Sequence, residues 1–283
     1  MGRNCKRVLR TQFILPQDRL NAISGVAQRF GETRASEYIA GIWKDDLSEI
    51  QGLLWAQESI GPAAQDSRNS GIQERFYCPS WSWASVGGKI EYCTRLHEPI
   101  DSVMMPDCMA AKVDVSFRLL NKEHPYGDVS EGILLLRGKC GYLPQEVICN
   151  DFKGAQKDTK LIITLDTKVK ERHGIKYLGP AGQTKSWKSQ RLNPSPVRIN
   201  KENFRILRYR PFCIRIFEKA AQSSVPGEHI LELSWFLLLE RVGSKGNTFR
   251  RIGIGYYAPL YQGVLLSDWD NVWKCQEEQI AVI

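Results

Sequence analysis

Apolar positions in the front of the chain follow a helical period and then change to a period of two. Leu20, Ile23, Val26, Ala27 and Phe30 recur at steps of three and four behind a Pro-Gln-Asp entry, which predicts a one-faced helix over residues 16–32 ending at Gly31. Ser36 reads as the cap of a second, short helix through Ile42. Residues 44–55 read as a third, with Leu47, Ile50, Gln51 and Leu54 on its inner side, Asp45 and Asp46 at its positive end, and Trp43 and Trp55 flanking it. Residues 59–74 carry Gly, Pro, Ala, Ser, Gln and Asn with hardly any large apolar side chain, the composition of a surface loop.

Beyond Val86 the alternation is that of half-buried strands. Gly87-Gly88 is turn chemistry, residues 89–94 alternate, and in 111–119 Val113, Val115 and Phe117 share one side while Lys112, Asp114 and Ser116 share the other. Strands are further expected over 132–142, 160–167, 212–218, 229–242 and 247–257, the last two joined across Gly243-Ser244-Lys245-Gly246. Residues 168–203, with Gly179-Pro180, Gly182, Pro194 and Pro196 among lysines and serines, break the pattern and read as a partly disordered insertion. The expected fold is α+β: a small amino-terminal helical module (1–58), a loop (59–74), and a mainly antiparallel β-sheet or barrel-like body (75–283).

Between the two patterns lies Tyr77-Cys78-Pro79-Ser80-Trp81-Ser82-Trp83-Ala84-Ser85-Val86. In an extended segment Trp81 and Trp83 share one face and Ser80, Ser82 and Ala84 the other. A Trp-x-Trp pair can be a stacking platform for a sugar or base, or two large side chains filling a core; burial statistics favour the core. Burying Trp43, Trp55, Trp81 and Trp83 between module and body gives them a scaffold role.

This segment closes an ordered series. Upstream stand Asp18-Arg19-Leu20-Asn21-Ala22-Ile23-Ser24-Gly25-Val26-Ala27, Glu37-Tyr38-Ile39-Ala40-Gly41-Ile42-Trp43, Asp46-Leu47 and Gly52-Leu53-Leu54-Trp55. Over about residues 13–92 the series resembles the region that follows the heterokaryon incompatibility (HET) domain of fungal proteins. Leu237 to Val242 with Phe249 to Gly255 is similar to how such chains finish. The family's amino-terminal half, with its tyrosine-tryptophan-glycine segment and its aspartate- and cysteine-containing segment, has no counterpart before Thr11. That half is the one thought to be TIR-like and death-inducing. The resemblance therefore implies a companion region of an effector domain or a truncated gene product, a role in non-self recognition and regulated cell death, and no active site. Its motif residues are Asp18, Arg19, Gly41, Trp43, Asp46, Leu47, Leu54, Trp55, Pro79, Ser80, Trp81, Ser82, Trp83, Ala84 and Ser85.

Composition adds bounds. The 283 residues, 42% hydrophobic and 25% charged, are ordinary globular material. Eight cysteines are scattered without a Cys-x-x-Cys, so zinc binding is weakly signalled. No apolar stretch follows the basic start Met1–Arg7, which reads as no secretory signal and as reduced thiols in the cytoplasm; Lys6 stands where a myristoylation motif wants Ser or Thr. No run is apolar and long enough to span a membrane. The net charge of +8 is concentrated: residues 153–219 hold 17 Lys and Arg against 5 Asp and Glu, leaving the rest of the chain acidic. That segment could contact nucleic acid or an anionic surface, yet its aromatic interleaving is sparse and a solvated insertion is the favoured reading.

Enzyme templates find little. Gly253-Ile254-Gly255-Tyr256-Tyr257-Ala258 fits a phosphate-loop spacing but continues a strand and precedes Pro259. His97, His124, His173 and His229 lie apart, and Asp45-Asp46, Asp268 with Asp270, and Glu277-Glu278 read as helix starts or solvated acids. The expectation is a non-enzymatic protein without cofactor or metal, whose partner is protein, with nucleic acid the less favoured partner and no membrane.

Overall fold

A computed structural model describes residues 18–60, 78–86, 88–92, 111–143, 160–165, 211–222, 227–243, 246–258 and 264–283. The structure is mixed α and β, dominated by an eight-stranded, mostly antiparallel sheet, with few helices. The insertion expected over 168–203, most of the expected loop over 59–74, and His97 and His173 lie outside the described residues. Among the described residues no helix is long and apolar enough to cross a membrane.

The front helix forms as its periodicity dictates: α1 runs Asp18–Gly31 and buries Leu20, Ile23 and Ala27, together with Arg19. The second expected helix is instead a hairpin, β1 (Tyr38–Ile39) with β2 (Ile42–Trp43). Its two central residues, Ala40 and Gly41, both take positive φ, the backbone of the tight turn whose twist matches paired strands. Tyr38, Ile39, Ile42 and Trp43 are β-branched or aromatic and all buried, and pairing buries all four where a single helical face could not. Ser36 does cap a helix, but not its own: its hydroxyl accepts from the amide of Asp45 at 3.2 Å.

The third expected helix also stops short. α2 covers only Lys44–Ser48. Ile50 then adopts a left-handed φ of 65°, and a 3-10 turn at Gln51–Leu53 leads into β3 (Trp55–Ile60). Leu47, Ile50, Leu53, Leu54 and Trp55 are all buried, which no continuous helix could achieve with one stripe. Trp55 therefore opens a strand, and residues 59 and 60 of the expected loop belong to that strand. β3 pairs antiparallel with β4 (Gly88–Tyr92).

The body is built from β5 (Ala111–Leu119), β6 (Val129–Tyr142), β7 (Lys160–Leu165), β8 (Phe212–Gln222), β9 (His229–Arg241), β10 (Thr248–Ala258), β11 (Val264–Leu265) and β12 (Gln276–Val282). β5 shows the expected alternation of exposed and half-buried residues. β9 and β10 pair as the expected hairpin. The pairings β6–β8–β9–β10–β12–β6 return to their start, so these strands form a closed ring, with β10–β12 its parallel pair. β5, β7 and β11 pair onto β6, β10 and β9 of the ring. One buried cluster joins the ring's Leu136, Ile214, Leu237 and Ile280 to the front's Leu20, Ile42, Trp55 and Trp81. A short helix absent from the sequence expectation, α3 (Leu266–Trp273), lies between β11 and β12.

Candidate functional site

The motif residues fold into one seam. Ser82 caps a 3-10 turn at Trp83–Ser85, accepting from the Ala84 amide at 3.0 Å. The expected extended segment with alternating faces is thus corrected: Ser82 is as buried as its tryptophan neighbours, and Trp81 and Trp83 reach different partners. Trp81 donates its indole N–H to the Gly132 carbonyl on β6 at 3.4 Å, while Trp83 donates to the Gly41 carbonyl of the hairpin turn at 2.8 Å. A Cβ on Gly132 would stand 2.4 Å from Pro79, and one on Gly41 would stand 2.8 Å from the Trp83 ring nitrogen, so both glycines permit the close approach of this segment.

Every described polar side chain of the seam from Ser80 to Ser85 is used within the chain. Trp55 donates to the Trp81 carbonyl at 3.1 Å, and Ser82 to the Ala40 carbonyl at 2.5 Å. Ser85 donates to the Ser82 carbonyl at 2.7 Å. Ser80 donates to the Ile283 carbonyl and accepts from the Arg251 amide at 2.9 Å, tying the segment to β10 and to the end of β12. Arg251 stacks its guanidinium 3.5 Å over the Trp55 ring and donates to the carbonyls of Leu53 and Trp55. The front is thereby fastened to the ring by a buried cation.

The other motif residues sit around the seam. Asp18 is exposed at the start of α1, and burial pushes the Arg19 pKa down, with Cys78 opposing. Trp43 packs edge-on to Tyr38 at 5.0 Å, with the Arg34 guanidinium 5.1 Å over its ring. Arg34 pairs with Asp45 and Asp46, each at 2.6 Å. Leu47, Leu54, Pro79 and Ala84 are buried packing residues. No open ring face for a sugar or a base exists at Trp55, Trp81 or Trp83, which are 0–4% exposed.

A second cluster escaped the sequence reading. In β8 and β9, Arg215 pairs with Phe236, and a bulge then shifts the register so that Glu218 pairs with Ser234. Residues three apart on a regular strand face opposite sides; the extra residue turns Arg215 and Glu218 onto the same outer face. Helix α3 covers that face with Trp269, Asp270 and Trp273, which share one side at helical spacing. Arg215, fully buried, donates to Glu218 at 2.8 Å and to Asp270 at 2.5 Å. Lys139 from β6 takes the other Asp270 oxygen at 2.6 Å, and the Trp269 N–H donates to Glu218 at 3.0 Å. Asp270 is therefore a central ion-pair residue and not a solvated acid at a helix start. Glu277, expected near a solvated chain end, lies in β12 and pairs with Arg137 at 3.1 Å.

The two carboxyls of this cluster are driven apart. Burial pushes Glu218 up, against the pull of Arg215 and Lys139. Burial would raise Asp270 too, but hydrogen bonds from Lys139 and Arg215 outweigh it and hold Asp270 below the usual carboxylate range. Among the described residues, three polar atoms of the layer, Arg215 Nε, Ser234 Oγ and Trp273 Nε1, are buried without a hydrogen-bond partner. Each such atom costs about 1–3 kcal/mol.

The described thiols are not activated. Burial pushes Cys78 and Cys140 up to about 12 and Cys275 up to about 11, the reverse of what a nucleophilic cysteine needs. The four described cysteines are free thiols, and among the described residues no group of three or more His, Cys, Asp or Glu could hold a metal ion. The Gly253–Ala258 run lies in β10, with the Phe236 ring filling the space where a Gly255 side chain would be. Of the basic segment 153–219, only residues 160–165 and 211–219 are described, and there Arg215 is buried and neutralised. The signal that could have exposed the second cluster is Arg215 itself, a charge inside the apolar run Phe212 to Phe217.

Compared with known proteins, the chain matches no family model, no curated protein and no solved structure.

Proposed function

We propose that the chain is a non-enzymatic interaction module of the kind that accompanies a heterokaryon incompatibility effector domain, acting through a protein partner in fungal non-self recognition and regulated cell death. One observation supports the scaffold part of this reading: the indole N–H groups of Trp55, Trp81 and Trp83 and the Ser80, Ser82 and Ser85 hydroxyls are all consumed by hydrogen bonds within the chain. A segment so occupied holds a shape for other surfaces to use. The thiols with raised pKa add to this, since none is prepared for covalent chemistry.

The test is expression in a filamentous fungus, alone and beside a HET effector domain, scoring death after fusion of unlike strains. The chain alone is expected to leave cells alive and to change the killing caused by the effector domain. Killing by the chain alone overturns the non-enzymatic reading; no effect on the effector overturns the companion role.

A further inference from the structure

Helix α3 is held to the ring by contacts that disagree with one another. Its aromatic side chains fit well: Trp269 stacks on Tyr257 with ring centroids 4.4 Å apart, and Trp273 meets Phe236 edge-on at 5.2 Å. Against this, docking buries the Arg215 guanidinium with Nε unpartnered, and leaves Trp273 Nε1 and Ser234 Oγ without partners in the same layer. Docking also ends the helix badly. Lys274, whose amide closes the last turn on the Asp270 carbonyl at 3.1 Å, sits at a φ of 47°, where glycine is the favoured residue. Lifting α3 would let water reach all three polar atoms and let Lys274 relax, whereas the indole N–H and hydroxyl groups of the seam around Trp81 already have partners and gain none on opening.

We propose that α3 is a releasable strap: it lifts from the outer wall of the ring as a local unit, while the ring and the front seam stay folded. The strap is anchored on one side by β11, paired to β9, and on the other by β12, paired to β6 and β10. Its release uncovers Arg215, fully buried in the docked state, beside the part-exposed Lys139, the two cations that grip opposite oxygens of Asp270. The inference goes beyond the proposed function and stands without it.

Native-state hydrogen exchange on the full chain in rising denaturant tests the strap. The helical amides from Asp270 to Lys274 are expected to be at least about tenfold less protected than those of Ile214 and Leu237 in the ring wall, with a smaller denaturant dependence. Equal protection with equal dependence overturns the proposal, since α3 would then open only when the whole chain unfolds. Lys274→Gly removes the left-handed strain from the docked state and is expected to raise protection of the α3 amides about threefold. Protection that stays the same or falls in Lys274→Gly overturns the part of the proposal that places strain at the strap's end.

Discussion

Two of the places where tryptophans are buried, the front seam and the layer under α3, are built differently. In the front seam the indoles of Trp55, Trp81 and Trp83 each donate to a backbone carbonyl, and a buried cation, Arg251, spends its guanidinium on two carbonyls and a ring face. Under α3 the buried cation Arg215 leans on two carboxylates, and Trp273 has no acceptor for its N–H. Similar residues therefore give a satisfied core on one side and a frustrated layer on the other. Full satisfaction rigidifies a region; partial satisfaction leaves a region whose opening costs little.

The contrast is open to attack by substitution, beginning with the largest effect. Trp81→Ala removes a fully buried ring and empties the Gly132 carbonyl, and is expected to cost about 3–5 kcal/mol. A thermal melt close to that of the unaltered chain would show that the seam is not the scaffold. Arg215→Ala is expected to cost about as much, 3–5 kcal/mol, because it strands Glu218 in a buried site. The informative variant is the double Arg215→Met/Glu218→Leu, which removes both charges and should recover most of that loss. A double-mutant cycle in urea that finds the two changes additive would sink the description of the layer as a coupled ion network.

Ser82→Ala takes away both the cap on Ala84 and the bond to the Ala40 carbonyl, for a loss of about 1–2 kcal/mol read from the denaturation midpoint. The smallest effects concern pH. Asp270 has a folded pKa below its unfolded one, so its contribution is present above the unfolded value, about 3.9, and is lost as pH falls below it. Glu218 has the opposite sign: its folded pKa is raised, so stability declines as pH rises from about 4.3 through the raised value. Asp270→Asn should flatten the acid limb of the stability curve and Glu218→Gln the limb above it. Finding both slopes unchanged would place the charges in solvent.

Legibility followed the range of the interactions. The stripe Leu20, Ile23, Val26, Ala27 sufficed for α1, and alternation sufficed for β5, because each pattern is repeated within a few residues. The segment 36–55 misled, since its apolar residues sit close enough for helical spacing while the fold buries nearly all of them by a hairpin turn at Ala40-Gly41 and a left-handed Ile50. Motif positions such as Trp81 and Gly41 were recognisable as a series, but their pairing was not; Trp83 meets Gly41 across 42 residues of chain. The Arg215 cluster was invisible as a cluster because Lys139, Arg215 and Asp270 come from three separate stretches.

By itself the sequence determined which stretches have an inside and an outside, because that depends only on side-chain period and solvent. Tertiary structure alone decided the closure of the ring and the place of β12, whose Gln276-Glu277-Glu278-Gln279 has no apolar period and becomes a strand by pairing with β6, while only Ala281 and Val282 reach β10. It alone turned Arg215 and Glu218 to one face, since a bulge is a property of two paired strands and neither strand's own residues specify it.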